Sequence, residues 1–364
     1  MATLSPSENV RTKLILPYLR LAAEKEASDL YFSAGAAVAM KVEGTTMAVG
    51  RSPLSADQAR ELVFSVLTDG QKVALKEKWE LDFAIDLPDL GRFRVNAFHQ
   101  RGKLSMCLRR VPEKIPRLDD LKLPESLKSL SMLKRGLILM VGATGSGKST
   151  SLAAMLNHRN ESEPGHILTI EDPIEFVHPN KQCIVNQREV GIDTVSFEMA
   201  LHSALREAPD VILVGEARSQ ETMQKCLQLA NIGHLAMATL HATNCAQALQ
   251  RVINFFPEEA REQVYMDLAL GLKAIISQRL VRRKLGGRTA AIEVMINTPF
   301  ITDLIMSKRI GEVREAMSQS SDAGMQSFDD ALLKLYRSGE ISMEEALSTA
   351  DSSPNLQAKI AFGG

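Results

Sequence analysis

From residue 136 onward, short apolar runs return at intervals: "GLILMV" (136–141), "HILTI" (166–170), "DVILVG" (210–215) and "HLAMATL" (234–240). Runs of this length and character predict buried strands. Between them, helical segments are predicted around residues 149–158, 196–207 and 219–231. Strands alternating with helices imply a parallel sheet covered on both faces. After about residue 295 the pattern reads as helices. Ser327 and Ser342 are each followed three positions later by an acid, Asp330 and Glu345. That spacing is the mark of a capping box, and Gly339 suits the end of the helix between them.

Before residue 110 the pattern is different. Leu14, Tyr18, Leu21 and Ala22 predict an early amphipathic helix. "DLYFSAG", "AMKVEG" and "GRFRVNAFHQRGKLSMCLRRV" predict strands, the last folding as a hairpin about "HQRGK". Residues 1 to about 110 therefore read as one α+β domain. Val111 to Pro124 carries three prolines (Pro112, Pro116 and Pro124) among many charges and reads as the linker. Residues 125–364 form the second domain, with the helical tail from about 295.

Composition narrows the function classes. The 364 residues are 45% hydrophobic and 24% charged, enough for two or three soluble domains with sizeable cores. A formal net charge of −1 excludes a global basic field for nucleic acid or anionic lipid, though local patches remain. Cys107, Cys183, Cys226 and Cys245 are scattered without a C-x-x-C pair. That argues against a zinc knuckle or disulfide framework and fits a reducing compartment. No apolar run approaches the ~18 residues of a membrane span. The early "LILPYL" is short and broken by Pro17. A cytoplasmic protein able to dock on a membrane complex is expected.

"GATGSGKST", Gly142 to Thr150, matches G-x-x-x-x-G-K-[ST] between a predicted buried strand and a predicted helix. Glycines let the backbone curl so that successive N–H groups point at phosphate oxygens. The helix behind adds its unpaired N-terminal donors and the positive end of its dipole. The candidate nucleotide-binding residues are Gly142, Ala143, Thr144, Gly145, Ser146, Gly147, Lys148, Ser149 and Thr150. Lys148 is expected to reach the β- and γ-phosphates of ATP, and Ser149 to ligate Mg²⁺.

Acids follow at two other predicted strand ends, where an open parallel sheet binds its ligands. "HILTIEDPIEF" places Glu171, Asp172 and Glu175 there, either to activate water or hold Mg²⁺, or as a solvated acidic turn. "PDVILVGEAR" ends a strand in Gly215-Glu216, resembling a Walker B segment with Glu216 as its acid, while Asp210 belongs at the opposite end. "GHLAMATLHAT" supplies His234 and His241, seven positions apart. Within one strand that odd spacing puts them on opposite faces, a poor metal pair. His241 either senses the γ-phosphate or is merely packed, and the other five histidines read as surface residues. Arg92, Arg94, Arg101, Arg109 and Arg110 gather on the N-terminal hairpin. Three uses remain open for them: RNA binding, arginine fingers toward a neighbouring subunit's nucleotide, or plain solvated faces.

Taken in order, "GATGSGKST", "ILTIEDPIEFVH", "VNQREVG", "ALREAPDVILVGEAR" and "GHLAMATLHAT" resemble the Walker A loop, Asp box, following strand, Walker B segment and His box of the secretion-ATPase superfamily. Within it the chain resembles the type IV pilus retraction ATPase (PilT/PilU) family, from "ASDLYFSAG" to the helical tail. The resemblance implies an α/β protein: a PAS-like α+β N-terminal domain plus a RecA-like P-loop ATPase domain with a helical tail. It implies a homohexamer that hydrolyses ATP with Mg²⁺ to power or assist pilus retraction and twitching motility. Carried over by motif, Glu175 is the general base that orients the attacking water. Glu216, with Ser149, serves Mg²⁺ partly through water, and His234 and His241 are the His-box pair. Arg92, Arg94 and Arg110 are the candidates to close on the γ-phosphate. The implied partners are further copies of the chain, a PilT-like paralogue and a PilC-like platform protein at the inner membrane, with no nucleic acid. Two departures matter. The tetracysteine zinc motif of assembly and secretion members is missing, and "PFITDLIMSKRIGE" (299–312) stands where retraction motors carry an "AIRNLIRE"-like motif. In this the chain resembles the accessory branch of the family, and the resemblance implies an intact ATPase whose force production needs the PilT-like paralogue. The alternative is a nucleotide-binding regulatory subunit of the pilus motor without force generation of its own. A nucleic-acid translocase and a phosphoryl-transfer kinase are the rivals of another class, and the near-neutral charge argues against the former.

Overall fold

The structure, a computed structural model, describes residues 12–112, 114–319 and 324–362. The chain divides into two compact units, one ending at Lys114 and the other starting at Ile115.

In the first unit, helix α1 (Leu16–Glu24) buries Leu19 and Ala22, while Leu14 precedes it and is exposed. Strands β1 (Asp29–Ser33), β2 (Ala39–Val42) and β3 (Thr45–Ala48) follow, then helices α2 (Ala56–Val66) and α3 (Asp69–Lys78). Both helices open with reciprocal capping boxes, Ser55 with Gln58 and Thr68 with Gln71. Strands β4 (Glu80–Leu87), β5 (Gly91–Gln100) and β6 (Lys103–Arg110) complete an antiparallel sheet of order β3-β2-β1-β6-β5-β4. The β5–β6 hairpin turns at Arg101-Gly102, where φ is 48° and 73°, the paired positive values a two-residue turn needs. Phe32, Met40, Phe93 and Met106 are fully buried in this unit's core.

The second unit begins earlier than the linker expectation. Leu118 is 4% exposed and packs into its core, joined by Leu121 and Leu123. Apolar side chains spaced through 118–123 thus fasten the latter part of the 111–124 stretch down. Then come α4 (Ser126–Ser131), β7 (Gly136–Val141), α5 (Lys148–Ser162), β8 (Gly165–Glu171), β9 (Cys183–Glu189), α6 (Phe197–Ala204), β10 (Val211–Val214), α7 (Gln220–Ile232) and β11 (Leu235–Leu240). They are followed by α8 (Cys245–Asn254), α9 (Arg261–Gly271), β12 (Leu272–Arg282), β13 (Arg288–Ile296), α10 (Pro299–Met306), α11 (Val313–Gln319), α12 (Phe328–Arg337), α13 (Met343–Thr349) and α14 (Ser353–Phe362).

The sheet order is β13-β12-β7-β11-β10-β8-β9, parallel throughout except for the antiparallel β13. The four runs read from sequence form its centre. Adjacent residues feed opposite faces: Leu139, Val214 and Ala238 join one core, Met140, Leu213 and Met237 the other. That is why these runs are uniformly apolar. The β12–β13 hairpin was not expected from the pattern. Phe328, Leu332, Ile341 and Leu356 of the tail pack against its Val281 and Ala291. No helix among the described residues is long and apolar enough to cross a membrane.

Candidate functional site

The parallel register sets Val141 level with Leu240, and Val214 level with Ile170 and with Ala238 two residues short of Leu240, so these strands all end toward the sheet's carboxyl edge. Everything that follows those strands therefore converges. After β7 the chain turns through 142–147 into α5. Gly142 has φ 149°, and a Cβ there would lie 2.5 Å from the Gln278 carbonyl oxygen. Gly147 has φ 87°, and its Cβ would meet Gln278 Nε2 at 2.7 Å. Glycine is required at both ends of the loop by conformation and by space. Gly142 to Ser146, with Thr243, Arg279 and Arg288, line a cleft of about 350 Å³. Thr150 and Ser151 line a second of about 430 Å³ with Gly147 and Gln278. Inside the loop, Ser146 Oγ is buried and has no hydrogen-bond partner among the described residues.

Lys148 Nζ donates to the carbonyls of Gly142 (2.8 Å) and Ala143 (2.9 Å). Burial lowers its pKa, against the attraction of Glu216. Glu216 follows β10 and accepts from Arg218 Nη2 at 2.7 Å, and its other oxygen lies 3.0 Å from His241 Nε2. Arg218, then His241 and Lys148, hold its carboxyl below the ordinary range although burial pushes it up. Two bonds lock this corner: Thr239 Oγ1 donates to the Gly215 carbonyl, and Ala217 N donates to the Thr239 carbonyl at 2.9 Å. Hydroxyl and carboxylate oxygens are the donors a hard divalent cation takes. Exposed Ser149 at the start of α5 and the ionised Glu216 supply that set.

At the end of β8, Glu171 is pinned. One carboxylate oxygen accepts from Thr169 Oγ1 (2.7 Å) and Gln187 Nε2 (3.1 Å), the other from Glu175 N (3.4 Å). Burial raises its pKa. Glu175 is exposed on the following loop. Gln187 also donates to the Phe176 carbonyl at 2.9 Å and accepts from His178 N at 2.7 Å, so it shapes the whole acidic loop. Gln187 was not singled out from sequence, and neither was Gln278.

Three expectations change. His234 and His241 are not within one strand: they flank β11 at opposite ends. His234 sits beside the start of β7, where Gly136 N donates to its carbonyl at 3.0 Å. The strand's length, roughly 20 Å at ~3.3 Å per residue, separates it from the loop, so within this chain only His241 joins the site. Arg92, Arg94 and Arg110 do not form one cluster. Arg94 pairs across the hairpin with Arg109 and shares a face with Arg92, whereas Arg110 pairs with the core residue Phe93 on the other face. Arg92 is held 3.1 Å from Asp86. His178, read as a surface residue, is 8% exposed. Burial, helped by Lys181, pushes its pKa down to about 4. Asp210 stands at the opposite end from the site, as read, accepting from His166 N at 2.8 Å.

A glycine loop clasping the lysine that opens a helix, with an ionised acid just past β10, one strand beyond the neighbouring β11, is the working end of a P-loop ATPase. The family model for "Type II/IV secretion system protein" matches residues 7–286, and the chain belongs to that family. It is 52% identical over 346 residues to the type IV pilus ATPase PilU of Pseudomonas aeruginosa, covering 95% of this chain and 91% of that protein. It is 43% identical over 342 residues to the PilT pilus ATPase of the same organism, covering 94% and 99%. The crystal structure of the pilus retraction motor PilT with bound ADP superposes with a TM-score of 0.89 at 39% identity, covering 94% of this chain and 99% of that one. The Legionella pneumophila ATPase DotB gives 0.75 at 27% identity, covering 92% and 94%. The chain is an ATPase of this family.

Proposed function

We propose that this chain is a subunit of a hexameric, ATP-driven motor that powers or assists type IV pilus retraction from the cytoplasmic face of the inner membrane. One observation carries the reading: near full-length likeness to pilus ATPases coincides with an intact loop, Lys148 and Glu216 at the sheet's edge. The PAS-like assignment of the first unit and the RecA-like assignment of the second belong to this reading. So do a PilT-like paralogue and a PilC-like platform protein as partners.

In this account Lys148 exchanges its two carbonyl acceptors for phosphate oxygens, with the amides of residues 142–149 around them. Mg²⁺, when bound, would neutralise charge on the transferring phosphoryl group, held by Ser149 and, through water, Glu216. Glu216 stays anionic because Arg218 and His241 flank it. That contact gives His241 a view of the γ-phosphate position. Glu175 is the proposed base for the attacking water, on a loop braced by Glu171 and Gln187. Arg92, Arg94 or Arg110 would act on the nucleotide of a neighbouring subunit.

The test is rescue of a deletion strain. Wild type should restore twitching and pilus retraction, and Lys148→Ala should not. Normal retraction with Lys148→Ala would refute the motor reading. Retraction by Glu175→Gln at wild-type strength, with its turnover lost, would favour the regulatory alternative. ATPase stimulation by single-stranded DNA, steeply lost with salt, would point to a translocase.

A further inference from the structure

Gln278 is a polar residue, 2% exposed, in the interior of β12. Its neighbour Ser277 pairs with Val141, the last residue of β7, so Gln278 lies level with the start of the glycine loop. Its side chain is doubly engaged: Nε2 donates to the Ser146 carbonyl at 2.8 Å, and Oε1 accepts from Ser151 Oγ at 2.7 Å. A carboxamide offers a donor and an acceptor on one planar head, and burying it is costly unless both are used. The two end glycines of the loop also face this one residue. A Cβ on Gly142 would strike its carbonyl oxygen, and a Cβ on Gly147 its amide nitrogen.

We propose that Gln278 is a positioning residue for ATP binding: by holding the Ser146 carbonyl outward, it turns the Gly147 N–H toward the phosphate. The link is covalent geometry. The Ser146–Gly147 peptide is trans, so its C=O and N–H point in opposite directions. Fixing one fixes the other. The bond from Ser151 fixes the amide head in turn, so the first turn of α5 and the edge of β12 jointly set the loop's shape. This rests on the nucleotide-binding reading and assigns a residue outside the loop to it.

The test is calorimetric titration of Mg-ATP into the full chain, with steady-state kinetics beside it. Gln278→Met keeps the length and removes both bonds. It is expected to raise Kd and KM roughly tenfold, since one hydrogen bond to a charged group is misaligned. The kcat at saturation should stay within about threefold, since the groups at the reacting atoms are unchanged. Ser151→Ala removes the bond that orients the amide head but leaves Nε2 able to donate to the Ser146 carbonyl, so its Kd should rise, though by less than in Gln278→Met. Gln278→Glu sets an oxygen against the Ser146 carbonyl and adds negative charge near phosphate. It should weaken binding at least as much as Met, and it serves as the second variant if the Met protein does not fold. An unchanged Kd in Gln278→Met or Gln278→Glu, with only Tm lowered, overturns the proposal and leaves Gln278 a packing tie. In that outcome wild type still binds and Lys148→Ala does not. If wild type itself fails to bind, the nucleotide reading falls and this proposal with it.

Discussion

Alanine at Gly142 and alanine at Gly145 add the same methyl group to the same loop, yet they should differ sharply. At Gly142 the new Cβ would lie 2.5 Å from the Gln278 carbonyl oxygen and 2.6 Å from Ser146 Oγ. The hydroxyl can rotate away. The carbonyl belongs to a strand paired with β13, Gln278 opposite Ile292, and can move only with the ladder. Overpacking of this kind costs about 1–3 kcal/mol. The left-handed backbone, φ 149°, adds strain for any L side chain, of order 1–2 kcal/mol. Together these amount to about 2–5 kcal/mol against the loop's working shape, or roughly 30-fold or more in ATP affinity. At Gly145 φ is 75° but nothing lies within 4 Å of the added Cβ. Only the backbone term remains, so affinity should fall by about tenfold. Calorimetric titration of Mg-ATP into each variant, with circular dichroism to verify folding, measures both. If Gly142→Ala binds ATP as well as Gly145→Ala, the close fit of β12 against the loop is wrong.

Further outcomes follow from other contacts. Glu216→Gln removes the ionised acid between Arg218 and His241, so kcat should drop by ~10²-fold or more with ATP affinity little changed. Equal turnover would remove Glu216 from the chemistry. Because its pKa is depressed, the acid limb it sets should lie below the usual carboxylate range, its contribution present above and lost as pH falls through it. His178 is buried with a pKa of about 4 against 6.5 unfolded. Its contribution is complete above pH 6.5 and declines as pH falls toward 4, by up to about 3 kcal/mol. Denaturation at several pH values should show that decline in wild type and its loss in His178→Leu. Arg279 donates to the carbonyls of Thr349 (2.8 Å) and Thr243 (3.1 Å), pairs with Asp351 (2.6 Å) and lies 3.8 Å over the Phe328 ring. Arg279→Met should free the tail to limited proteolysis and lower Tm by several degrees, at about 2–4 °C per kcal/mol. An unchanged cleavage pattern would contradict its role as the tie.

What could be read in the sequence was what local pattern controls. Uniform apolar runs announced the central strands, and a glycine loop between one of them and a helix marked the candidate phosphate site. The Ser327–Asp330 capping box was equally legible, because each bond in it spans three residues. What escaped depends on contacts between distant segments. Gln278 looks like a stray polar residue until β12 is laid beside β7. The β12–β13 hairpin had a usable signal in Gly286-Gly287 between two β-rich runs, "LKAIISQRLVR" and "RTAAIEVMI". The histidine pair misled because the motif is contiguous in sequence while β11 carries its two ends to opposite edges of the sheet. Arg110 misled for the same kind of reason: the pleat turns it to the core face while Arg92 and Arg94 face the other way.

The account stands or falls on whether the amides and lysine of residues 142–149 hold a triphosphate. Titration of Mg-ATP into purified wild type and Lys148→Ala, with oligomer size followed by light scattering, asks this directly. The account predicts saturable heat for wild type and its loss in Lys148→Ala with the assembly unchanged. No heat from wild type, or equal binding by both, would contradict it.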